Sequence, residues 1–91
     1  MAVQVRVPTQ LRSLSGGKSE VTVEGTTVGE VLGALETAHP GFHGRLFDDG
    51  GHLRRFVNVF VADEDVRFLD GLATPVADGK TVSIIPAVAG G

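Results

Sequence analysis

The chain has 91 residues, 42% of them hydrophobic and 21% charged, with a formal net charge of −3 and no cysteine. A chain of this length makes one domain that buries about 60–65% of its unfolded surface around one modest core. The composition excludes disulfides, thiolate metal sites and a cysteine nucleophile. The acidic balance argues against a nucleic-acid partner, which calls for a basic stripe.

Val3, Val5 and Val7 alternate with polar neighbours and predict a half-buried strand ending at Pro8. The alternation begins at once and leaves no signal-peptide core. No run approaches the ~18 apolar residues of a membrane span. A cytoplasmic protein with no membrane partner is therefore expected. Ser15-Gly16-Gly17 marks a turn, and Glu20-Val21-Thr22-Val23 alternates again, so the first two strands form a hairpin with a long connection. Thr27 and Glu30 fit a capping box, with a hydroxyl at the N-cap and a carboxylate that reaches back. Behind it Val28, Val31, Leu32 and Leu35 fall at i, i+3, i+4 and i+7, one apolar face of a helix that Pro40-Gly41 ends. Burying each of the four contributes about 1.5–3 kcal/mol before entropy is subtracted.

A short helical turn is expected over Phe42 to Leu46, then a loop at Asp48-Asp49-Gly50-Gly51. Arg55 to Val61 is the strongest strand. Asp63-Glu64-Asp65 reads as an acidic turn and Val66-Arg67-Phe68 as a short strand. Residues 69–80 are rich in loop signals, and Thr81 to Ile85 is the last strand, stopped by Pro86. Two strands, a helix and three strands give an α+β fold, a mixed sheet with one main helix packed across one face. It is also the plan of the β-grasp (ubiquitin-like) fold, whose first and last strands lie parallel at the sheet centre. That assignment borrows from known folds, because periodicity alone gives α+β. Residues 1–85 form the domain and 86–91 a flexible C-terminal tail.

The tail, Pro86-Ala87-Val88-Ala89-Gly90-Gly91, is the candidate site. Two terminal glycines add nothing to a core, but they are slim enough to enter a narrow active site in another protein. Pro86 stiffens the root. Ala87, Val88 and Ala89 suit a snug channel, and Gly90 frees the backbone beside Gly91. The six residues reach at most roughly 20 Å when extended. A body that docks also needs a surface. If the valines of the 56–61 strand face the helix, Phe56 and Phe60 lie on the open face, where Ile85 joins them and Arg54, Arg55 and Arg67 form a rim. The alternative stays open that a loop caps these rings and they are simply core.

The element order and the segments Arg55-Phe56-Val57-Asn58-Val59, Asp63-Glu64-Asp65-Val66-Arg67-Phe68, Gly71-Leu72-Ala73-Thr74, Ala77-Asp78-Gly79 and Ile85-Pro86-Ala87-Val88-Ala89-Gly90-Gly91 resemble the ubiquitin-like sulfur carriers of the ThiS/MoaD family. Within that family they resemble the CysO-type carriers of cysteine biosynthesis. The resemblance implies a protein that is itself no enzyme and binds no cofactor. An E1-like adenylating and sulfurtransferase partner uses ATP to form an acyl-adenylate on Gly91, and a sulfur donor converts it to a C-terminal thiocarboxylate. The acceptor implied is a pyridoxal-phosphate-dependent cysteine synthase, with a metalloprotease releasing the product. Delivery to thiamin, molybdopterin or a thiosugar stays open, as does a ubiquitin-like modifier that forms isopeptide bonds.

Three further signals carry less. His39, His43 and His52 match no metal-ligand spacing. The acidic cluster lacks the spaced oxygens and glycine of a calcium loop. Ser15-Gly16-Gly17-Lys18-Ser19 superficially resembles a phosphate loop but lacks its first glycine, so the ATP step belongs to a partner.

Overall fold

Alternating valines set the sheet. The computed structural model describes residues 2–55 and 57–86. Strand β1 (Ala2–Arg6) pairs antiparallel with β2 (Glu20–Glu24) over five residues, from Ala2 opposite Glu24 to Arg6 opposite Glu20. Strand β5 (Thr81–Pro86) lies parallel to β1 on one side and antiparallel to β3 (Val57–Val61) on the other. A two-residue strand, β4 (Glu64–Asp65), closes the far edge and gives the order β2-β1-β5-β3-β4. The first and last strands are thus parallel neighbours inside the sheet, which is the β-grasp plan.

The connection between β1 and β2 is more ordered than its glycines suggest. Thr9–Ser15 forms a 3₁₀ helix that buries Leu11 and Ser15. The Ser15 hydroxyl lies 3.1 Å from the Arg12 carbonyl and 2.7 Å from that of Lys18, so this buried polar group is satisfied. Gly16 then turns the chain at φ 67°, in the left-handed region that glycine enters at no steric cost.

Helix α1 (Val28–Ala38) buries Val28, Val31, Leu32 and Leu35 against the valine face of the sheet, the four positions its periodicity marks. Thr27 caps it, its hydroxyl accepting from the Glu30 N–H at 3.2 Å. The return arm of the capping box is shifted by one residue. The Glu30 carboxylate accepts from the Thr26 N–H and hydroxyl, both at 2.8 Å, instead of from Thr27. These bonds hold its pKa below the ordinary range. Helix α2 (Phe42–Leu46) follows at once and buries Phe42 and Leu46 in the same core. Glu36 joins the two helices by accepting from the His43 N–H at 2.6 Å and the Gly41 N–H at 3.2 Å, and its pKa falls for that reason.

The region after β3 departs from expectation. The turn is Ala62-Asp63, with φ of 50° and 71°, and Glu64–Asp65 pairs back with Phe60 and Val61. Val66–Phe68 is a 3₁₀ turn, not a strand. The Asp65 carboxylate accepts from the Arg67 N–H at 2.8 Å, which curls the chain and drives Val66 fully into the core. Pro86, placed by its residue type at the root of the tail, is the last residue of β5, opposite Val57.

Candidate functional site

The open face of β3 and β5 is built by the same alternation that fills the core. Val57, Val59 and Val61 are buried, while Asn58 and Phe60 between them are half-buried. Phe60 lies opposite Ser83, and Asn58 opposite Ile85. Phe60 and Ile85 are therefore diagonal neighbours on one face, within reach of each other as such pairs are. Ile85 is 49% exposed. Phe56 lies outside the described residues, as do Ala87, Val88, Ala89, Gly90 and Gly91.

The three arginines assigned to the rim differ. Arg55 is exposed. Arg54 is exposed too, with its Nε donating to the Gly44 carbonyl at 3.2 Å. Arg67 is exposed as well, but its guanidinium lies along the strand edge. Its Nη1 donates to Asn58 Oδ1, and its Nη2 donates to the carbonyls of Arg54 and Val57, all at 2.8 Å. Its forked donors thus serve the protein's own backbone and the Asn58 side chain.

Two apolar side chains were not singled out from sequence. Phe68 is 86% exposed and Leu69 41% exposed, both beside the buried Val66. Reading Val66-Arg67-Phe68 as a strand hides this, because alternation would bury Phe68 with Val66. The available signal was Asp65 two residues before Arg67, where an aspartate favours a local turn.

A groove of about 370 Å³ runs beside the end of β5, lined among others by Arg6, Arg12, Glu20, Ser83 and Ile85. Arg6 pairs with Glu20 at 3.4 Å, and Arg12 Nε donates to the Val7 carbonyl at 3.1 Å. Two guanidiniums against one carboxylate leave the groove positive. Leading into β3, Asp48 folds its own loop by accepting from the N–H groups of Gly50 at 2.9 Å and His52 at 3.0 Å, and its pKa is lowered, chiefly by the His52 bond. His43 stacks on Phe47, and His52 lies 3.9 Å from Asp48. Among the described residues no three His, Cys, Asp or Glu side chains are grouped to hold a metal ion, and no helix is long and apolar enough to cross a membrane.

Residues 5–91 match the model of the ThiS family. The chain is 52% identical to the sulfur carrier protein CysO of Mycobacterium tuberculosis (strain ATCC 25618 / H37Rv) over 93 aligned positions covering all of both chains. It is 40% identical to small archaeal modifier protein 3 of Haloferax volcanii, again over the whole of both. Its fold matches a chain in the crystal structure of the Amycolatopsis orientalis BexX/CysO complex with a TM-score of 0.92 and 48% identity, covering 98% of this chain and 99% of that one.

Proposed function

The chain belongs to the ThiS family, and from that premise we propose that it is a sulfur carrier protein, a co-substrate of partner enzymes and not an enzyme itself. The observation that carries this reading is the 52% identity to a sulfur carrier across the full length of both chains. The carrier atom is assigned to the Gly91 carboxyl. At neutral pH that group is an unreactive carboxylate, because a terminal carboxyl titrates at about 3.3–3.7. An E1-like partner must therefore activate it. A Gly91 oxygen attacks the α-phosphorus of ATP, pyrophosphate leaves, and an acyl-adenylate forms. Hydrosulfide from a donor then attacks the carbonyl carbon, AMP leaves with the electrons of the C–O bond, and a proton goes to solvent. The product is a thiocarboxylate, –COS⁻, whose soft sulfur is the better nucleophile.

The body supports this chemistry as a handle. Among the described residues the buried apolar core runs from Val3 to Ile84. Five residues, 87–91, span at most ~18 Å when fully extended. The open face with Phe60 and Ile85, rimmed by Arg54 and Arg55, is the proposed docking surface, and Phe56 belongs to the same proposal. The acceptor we favour is a pyridoxal-phosphate-dependent cysteine synthase, with a metalloprotease releasing the cysteine, all in the cytoplasm. The likeness to an archaeal modifier favours one second reading, in which the same adenylate ends in an isopeptide bond to a lysine.

Intact-mass spectrometry tests the proposal. With an E1-like enzyme, ATP and sulfide, the protein should exchange one oxygen for sulfur at its last residue. Removing Gly91 should abolish the exchange and leave the melting temperature unchanged. An unchanged mass under conditions that load a CysO relative would overturn the carrier reading. Peptides bridged from Gly91 to lysine would favour the modifier.

A further inference from the structure

Among the described residues, the two-residue β4 leaves most of β3 without a strand neighbour on its outer side. Arg67 fills that gap. Its guanidinium binds the carbonyls of Arg54 and Val57 and the side chain of Asn58, residues nine to thirteen positions away in sequence. Val57 is the critical partner. Its N–H donates to the Arg54 carbonyl at 3.0 Å and its own carbonyl accepts from Arg67, so both polar groups point away from β5. Across from Val57 sits Pro86, which has no N–H to offer. The pairing therefore suits proline, but it also means that no ladder bond between these two residues fixes the end of β5. The next pair, Asn58 with Ile85, has its β3 member gripped by the same guanidinium.

We propose that Arg67 is a positioning residue for the tail: by standing in for the absent strand it holds the start of β3, and through β3 it fixes the direction in which β5 delivers the chain at Pro86. This rests on the carrier reading for its consequence, but not for its geometry. The fork is specific to arginine, since one ammonium cannot serve three acceptors spread along an edge in this way.

Lysine at this position separates a staple from a docking charge. In R67K the amides of Asn58 and Ile85 should exchange about tenfold faster or more, while those of Val5 and Val21 in the β1–β2 pair are unchanged. With an E1-like enzyme that loads the wild-type chain, R67K should lower kcat for adenylation by about tenfold with KM little altered, because docking survives while the tail is misdirected. R67A should behave like R67K in both measurements. If R67K instead restores wild-type loading and R67A raises KM alone, Arg67 is a rim cation and the proposal fails. Unchanged exchange at Asn58 and Ile85 in R67K also overturns it, whatever the loading result. A wild-type chain that no activating enzyme loads removes the carrier reading and leaves the exchange measurement to judge the staple.

Discussion

The two flanks of the central β1–β5 pair are built by different means. Both inner strands are backbone-paired over five residues, β1 with β2 on one side and β5 with β3 on the other, and β2 is itself an outer strand. Beyond β3, however, β4 pairs over two residues only, and a side chain bonds the remaining outer edge of β3. The β1–β2 flank is set by a repeating pattern of alternating valines. The other flank depends on Arg67, on an Asp65 cap and on a turn with two non-glycine residues at positive φ. It is also the flank against which the end of β5 is paired. The end of β5 is thus paired by backbone with a strand whose outer edge is held by individual side chains.

Both flanks share one core, and disturbing it gives the largest expected effect. Leu35 is fully buried in α1 beneath the sheet. Leu35→Ala should cost about 2–5 kcal/mol of unfolding free energy in urea. Probes on β2 and β3 should lose structure together. If β3 melted well before β2, the flanks would be separate folding units, and the comparison would become one of stability as well as construction.

The turn between β3 and β4 gives a smaller effect of opposite sign. Ala62 holds φ 50°, where a Cβ is crowded, and two-residue hairpin turns of this kind favour glycine or asparagine. Ala62→Gly should stabilise the protein by roughly 0.5–1 kcal/mol, the relief of strain exceeding the entropy that glycine adds to the unfolded chain. A destabilised variant by thermal melting would show that the turn is unstrained.

The smallest effect is that of pH. Glu30, Glu36 and Asp48 all accept backbone N–H bonds and all titrate below their ordinary values. The unfolded chain therefore binds protons more readily than the folded one. Their contribution is fully present above the unfolded values near about 4, and is lost as pH falls through the lower folded values. Glu30 and Asp48 are exposed and Glu36 is half-buried, so the loss should be modest and should shrink at high salt. Glu36→Gln should flatten the acid limb of a stability–pH curve. An acid limb identical to wild type would remove Glu36 as a contributor.

Much of this was legible in sequence, for a local reason. The valine alternation of β1, β2 and β3, the α1 stripe and its Thr27 cap, and the short α2 turn all follow from spacings of two or of three and four residues. The hidden parts were the 3₁₀ helix at Thr9–Ser15 and the 62–68 segment. In the first, glycines pointed to a turn, but the buried Ser15 hydroxyl supplies the order. In the second, Val66-Arg67-Phe68 carries the alternation of a strand, and the Asp65 cap overrides it.

For the candidate site the division is sharper. The residue order by itself determined the element types, the inward valines and the outward Phe60 and Ile85, because side-chain direction in a strand is fixed by its period of two. Only the tertiary structure decided which strands are neighbours, that Pro86 ends a strand facing Val57, and that Arg67 braces an edge instead of standing free. Those outcomes depend on groups far apart along the chain, whose meeting is set by how the sheet is assembled and not by any local preference.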